Sequence, residues 1–82
     1  MDKTEFLLAF GKTILRSSRM GRSTHLRRSQ VYAVHARLVA DPSHRDRLLA
    51  RKVFEDEMAA NYKLCIDGIV PTVNSLSGKL GM

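Results

Sequence analysis

Apolar residues recur along this chain at helical rather than strand spacing. Phe6, Phe10 and Ile14 share one side of a first segment, and Lys12, Arg16 and Arg19 share roughly the opposite side. That segment is expected to run from Lys3 to Met20, with Thr4 as a candidate cap and Gly21 as the stop. Gly11 in its middle costs about 1 kcal/mol relative to alanine and marks a close approach by another group. A second helix is expected from Ser23 or Thr24 to Ala40. Val31, Val34 and Leu38 form its apolar stripe, and Tyr32 and Val39 extend that surface. Asp41-Pro42 ends it, because a residue before proline avoids the α region.

A third helix begins near Ser43, with Asp46 where a capping box places an acid, and continues to Asp67. It carries two stripes, Leu49, Val53, Ala60 and Leu64 in one and Phe54, Met58 and Cys65 in the other, as a helix contacted from two sides would. Gly68 closes it. Pro71 opens a short last helix to Leu80, with Val73, Leu76 and Leu80 on one face. The tail Gly81-Met82 adds no element. Short connections make neighbouring helices antiparallel. The expected fold is all-α: a single helical domain over residues 1–82, built as a small three-helix up-down bundle with a short fourth C-terminal helix.

Eighty-two residues bury too little surface for a deep enzyme pocket, and such a chain is marginal alone. The net charge of +6 falls on the first half of the sequence, so an acidic partner is favoured: nucleic acid, anionic lipid or an acidic protein. The one cysteine, Cys65, allows neither an internal disulfide nor a zinc framework. It reads as a small buried hydrophobe on its stripe. No apolar run is long enough to span a membrane. The Arg- and Ser-bearing start resembles a mitochondrial presequence, but Asp2 and Glu5 argue for a structural first helix.

Catalytic chemistry is not evident. His25, His35 and His44 lie about ten residues apart, outside any metal-ligand spacing, and read as surface or rim residues. Glu55, Asp56 and Glu57 spread around a helix and do not make a catalytic pair. There is no glycine-rich phosphate loop. The chain is therefore expected not to be an enzyme and to carry no metal or cofactor of its own. The functional candidate is the basic stripe Lys12, Arg16 and Arg19, continuing to Arg22, with Arg27 and Arg28 across the Gly21 turn. Guanidinium groups bind carboxylates and phosphates in two-pronged fashion. The same stripe could also be no more than a solvated helix face.

Phe10-Gly11-Lys12-Thr13-Ile14-Leu15-Arg16-Ser17-Ser18-Arg19 resembles the signature of the LYR-motif family, small mitochondrial adaptor proteins. Phe10 stands at the family's leucine, Lys12 at its first arginine, and Ile14, Leu15, Arg16 and Arg19 match directly; Gly11 replaces the tyrosine. Arg51-Lys52-Val53-Phe54 with Asn61 is similar to a second family mark, and Leu76-Ser77-Gly78-Lys79-Leu80-Gly81 resembles the end of a short member that joins assembling mitochondrial ribosomes. Residues 22–42 are longer than the family's usual spacing, and Glu55 stands where a base often follows the phenylalanine.

The resemblance implies a non-enzymatic adaptor in the mitochondrial matrix. It would dock an acidic acyl carrier protein onto a larger complex or an assembling ribosomal subunit. Lys12, Arg16, Arg19, Arg22, Arg27 and Arg28 would hold the carrier. Phe10, Gly11, Ile14 and Phe54 would line the space for the acyl group on its 4′-phosphopantetheine arm. Two other readings stay open: a basic helical module that binds RNA or other nucleic acid, and a structural subunit of a large (ribonucleo)protein complex.

Overall fold

The computed structural model describes residues 2–81. It contains two helices, α1 from Lys3 to Leu38 and α2 from Pro42 to Lys79, joined by the three residues 39–41. The helices run antiparallel as a rod of 59 × 15 × 15 Å. The radius of gyration is 18.2 Å, against about 12 Å for a compact chain of this length.

The three-helix bundle with a fourth helix is thus corrected to a helical hairpin. The first and second expected helices are one, and so are the third and fourth. Met82 of the tail lies outside the described residues.

The turn is set by local chemistry. Val39 N–H donates back to the His35 carbonyl at 3.1 Å, and the Arg45 guanidinium donates to the Val39 carbonyl at 2.9 Å. The Asp41 carboxylate accepts from His44 N–H at 3.2 Å, so Asp41, rather than Ser43 in a capping box with Asp46, caps α2 with Pro42 just inside. Asp2 rather than Thr4 caps α1, accepting from Glu5 N–H at 2.8 Å. The left-handed glycine that ends α2 is Gly81, at φ 72°.

The helices pass through both expected stops because the seam between them continues there. On α1 the covered positions run Leu8, Gly11, Leu15, Ser18, then His25, Ser29, Tyr32 and Ala36. On α2 they run Leu48, Lys52, Glu55, Ala59, Tyr62, Ile66, and on through Ile69, Val73, Leu76 and Leu80. Steps of three and four alternate throughout, the heptad spacing of an antiparallel coiled coil. At the step that would bring in Arg22, the Tyr62 ring lies over Gly21. Contacts pair the helices in opposite directions from end to end: Gly11 with Val73, Gly21 with Tyr62, Tyr32 with Arg51.

This seam is not the one that the apolar stripes suggest. Val31, Val34 and Leu38 on α1 and Leu49, Val53 and Leu64 on α2 face outward, Leu38 and Leu64 being 78% and 71% exposed. Cys65 is exposed rather than buried. The buried apolar residues are few and mostly small: Leu8, Leu15, Ala36, Leu48, Ala59 and Val73.

Gly21 and Gly68 test this packing with opposite signs. A Cβ at Gly21 would come within 2.6 Å of the Tyr62 ring, which is itself stacked on His25. A Cβ at Gly68 would meet nothing within 4 Å. Gly68→Ala should therefore stabilise the chain by about 1 kcal/mol, the difference in helix propensity. Gly21→Ala should destabilise it by about 1–2 kcal/mol through overpacking. Urea unfolding of the two variants checks both signs.

Candidate functional site: a polar seam and an arginine-lined groove

The middle of the hairpin is polar where a coiled coil is ordinarily apolar. His25 Nδ1 donates to the Glu55 carboxylate across the helices, with side chains 14% and 8% exposed. Tyr62 stacks on the His25 ring at 5.6 Å. One turn further along α1, the Ser29 hydroxyl donates to Asp56. Asp56 also accepts from Lys52 Nζ at 2.7 Å. These bonds, Lys52 first and Ser29 second, hold the Asp56 carboxyl below its ordinary value of 3.8. Because the folded state lowers that pKa, its contribution to stability is present above the ordinary value. It is lost as the pH falls through the lowered one. Asp56 is largely solvated, so the contribution is small.

This layer satisfies itself, and no buried side-chain nitrogen or oxygen among the described residues lacks a partner. It has the chemistry of a register lock: sliding one helix by a turn would part Glu55 from His25 and Asp56 from Ser29. Sequence reading placed His25 at the surface and scattered Glu55 and Asp56 around a helix. The signal that would have found them is the alternation of three- and four-residue steps, which makes Ser18, His25, Ser29 and Glu55 seam positions despite their polarity.

The hairpin has two lateral faces, and one carries most of the expected basic residues. There Arg19, Arg22 and Arg27 line a depression of about 400 Å³ with Leu26 and Ile66 in its wall. Further along the same flank, Lys12 lines a second depression with Leu8, Ala9 and Leu80, and Arg37 a third with Ala36 and Leu49. The structure thus brings together three of the six expected binding residues. Lys12 and Arg16 extend the line toward the free end, and Arg28 falls on the other lateral face. Among the described residues, only Lys52 and Lys63 of the lysines and arginines have a carboxylate within 4 Å. The groove's guanidiniums are unpaired.

The four expected acyl-lining residues do not converge. Gly11 packs on Val73 within the seam, Ile14 is half-buried, and Phe10 is exposed and stacked on Phe6 with ring centroids 6.3 Å apart. Phe54 lies level with residue 30 of α1, about 30 Å along the rod from Phe10 at 1.5 Å per residue. Two helices leave no enclosed interior between them.

No helix of the described residues is long and apolar enough to cross a membrane, and no group of three potential metal ligands occurs among them. Comparison with family models, curated proteins and solved structures finds no match to the chain.

Proposed function

We propose that the chain is a non-catalytic docking module that uses its arginine-lined groove to hold an acidic helical segment of another protein. One observation carries the reading: Arg19, Arg22 and Arg27 lie around an apolar wall of Leu26 and Ile66, with no carboxylate in the depression. An amphipathic acidic helix offers both matching surfaces. Its apolar side displaces water from the groove, and its carboxylates meet guanidiniums spaced along α1 at helical intervals. The acidic acyl carrier protein that the LYR resemblance implies is one concrete partner of this chemistry. The basic flank supports its docking, while its acyl chain has no slot in the hairpin. Nucleic acid is the less favoured partner, because no aromatic side chain lines the groove for base stacking.

Arg19→Glu/Arg22→Glu is expected to weaken binding of a purified acyl carrier protein by about a hundredfold at low salt. Helix content should not change, since both side chains are exposed. Titration calorimetry measures the affinity. No binding to the carrier by the native chain, combined with salt-dependent binding of single-stranded RNA, would replace this reading with the nucleic-acid one.

A further inference from the structure

Helix α1 has a second line of apolar residues, on the side turned away from α2. The three-four spacing of the seam recurs there and puts Phe6, Phe10, Met20, Val31, Val34 and Leu38 along about 48 Å of helix. All six are at least half exposed, Leu38 the most at 78%. The positions between them are small and uncharged apart from Arg27; Thr13, one of these, donates its hydroxyl to the Ala9 carbonyl at 3.0 Å, which satisfies that donor within the helix. From Phe6 to Leu38 the helix holds seven lysines and arginines and no acid. Arg16 and Arg37 flank the line on one edge and Arg28 on the other, all exposed. The outer side of α2 differs, because Asp46, Glu57 and Asp67 are exposed there. Only Arg27 of the groove's lining stands in this line, so the two surfaces are independent.

We infer that this ridge lies along the surface of an anionic lipid bilayer, with α1 against the lipid and α2 facing water. Composition selects the occupant. A line of exposed apolar side chains rimmed by guanidiniums matches a surface that is anionic at its headgroups and apolar just beneath them. The stacked rings of Phe6 and Phe10 enter the apolar layer at one end, and Val31, Val34 and Leu38 enter it at the other. Arg27, within the line, has a stem long enough to lie among the acyl chains while its guanidinium stays at the phosphates. Nucleic acid offers phosphates but no apolar layer for Phe10 or Leu38. A second copy offers the apolar line but brings the same cations, with no acid on this side of the helix to meet them.

Shape points the same way. A helix added to a bundle ordinarily seats in the groove between two others and touches both. The ridge is instead the convex outer side of a single helix, so a rigid partner would cover little of it. A bilayer yields around protruding side chains along the whole length. With apolar side chains at both ends and Met20 between them, the rod is held flat rather than by its tip.

Flotation of the full chain with lipid vesicles tests this. Phosphatidylcholine vesicles containing about 30% phosphatidylserine should bind it at least about tenfold more tightly than phosphatidylcholine alone. Phe10→Ser/Leu38→Ser should weaken that binding by about thirtyfold. Circular dichroism in solution should not change, because both side chains are exposed and outside the seam. The chain has no tryptophan, so single indoles report which side meets the lipid without any polar substitution. Leu38→Trp fluorescence should shift to the blue on the anionic vesicles and be quenched by brominated acyl chains. Leu64→Trp, on the outer side of α2 where the native leucine is 71% exposed, should show neither effect. No binding to the anionic vesicles overturns the proposal. So does binding that Phe10→Ser/Leu38→Ser leaves unchanged, a charge-only contact such as nucleic acid or an acidic protein would also make. A Leu64→Trp signal equal to that of Leu38→Trp overturns it as well.

Discussion

Glu55→Ala is expected to destabilise the hairpin by about 2 kcal/mol, the cost of leaving a largely buried imidazole N–H without its carboxylate acceptor. The carboxylate receives the His25 proton donor across the seam, and both side chains are largely shielded from water. Removing it leaves the imidazole unpartnered beneath the Tyr62 ring and opens a gap where the helices are held together. The loss is a large share of what a two-helix protein can possess, since whole domains are stable by only about 5–15 kcal/mol.

Replacing both members tells a different story. His25→Leu/Glu55→Leu exchanges the pair for apolar side chains at the same seam positions and is expected to be neutral or stabilising by up to about 3 kcal/mol. The cost should appear instead as relaxed register, because the hydrogen bond between His25 and Glu55 across the seam is gone. Urea unfolding of the single and double variants at one protein concentration measures this, the fixed concentration removing any mass-action term from association. A single variant as stable as the native chain would show that the pair is not buried in the seam.

Pro71→Ala carries the second large effect, in the opposite direction. Pro71 stands inside α2, where it has no N–H for the Asp67 carbonyl and its ring crowds the preceding turn. The substitution is expected to stabilise the chain by about 3 kcal/mol and to slow amide exchange from Ile69 to Leu80. The proline persists in the helix because Ile69, Val73, Leu76 and Leu80 keep the three-four seam in step across it. No gain in stability would mean that α2 does not continue through residue 71.

That Asp41 itself caps α2 was not read, but the boundary at Asp41-Pro42 was legible because it rests on local chemistry alone, the restriction that a proline places on the residue before it. The helical class was legible from spacing for the same reason. Gly21, Gly68 and Pro71 misled because local cost is not decisive when tertiary packing opposes it. About 1 kcal/mol at a glycine is small beside a seam that runs the full length of both helices. The apolar stripes misled in a more instructive way. Val31, Val34 and Leu38 are periodic and apolar, yet they face outward, while Ser18, His25, Ser29 and Glu55 face inward. A rule that assigns hydrophobic residues to the core reads the wrong face when the chain has more than one face to bury. The basic residues were legible as a group, but their division between two lateral faces depends on the hairpin's register. That register is set by long-range pairs such as His25 with Glu55.

The central claim is the hairpin itself, and two distances test it most directly. In a Cys65→Ser background, spin labels at Glu5→Cys and Ser77→Cys should lie within about 20 Å, because the free ends of the two helices are side by side. Labels at Glu5→Cys and Ser43→Cys should lie about 54 Å apart, the rise of 36 helical residues. Dilution with unlabelled chain keeps both distances within one molecule. A short first distance with a long second one is the result expected of two continuous antiparallel helices. If both distances fell below about 30 Å, the chain would be folded back at Gly21 and Gly68 into a compact bundle, and the two-helix account would be wrong.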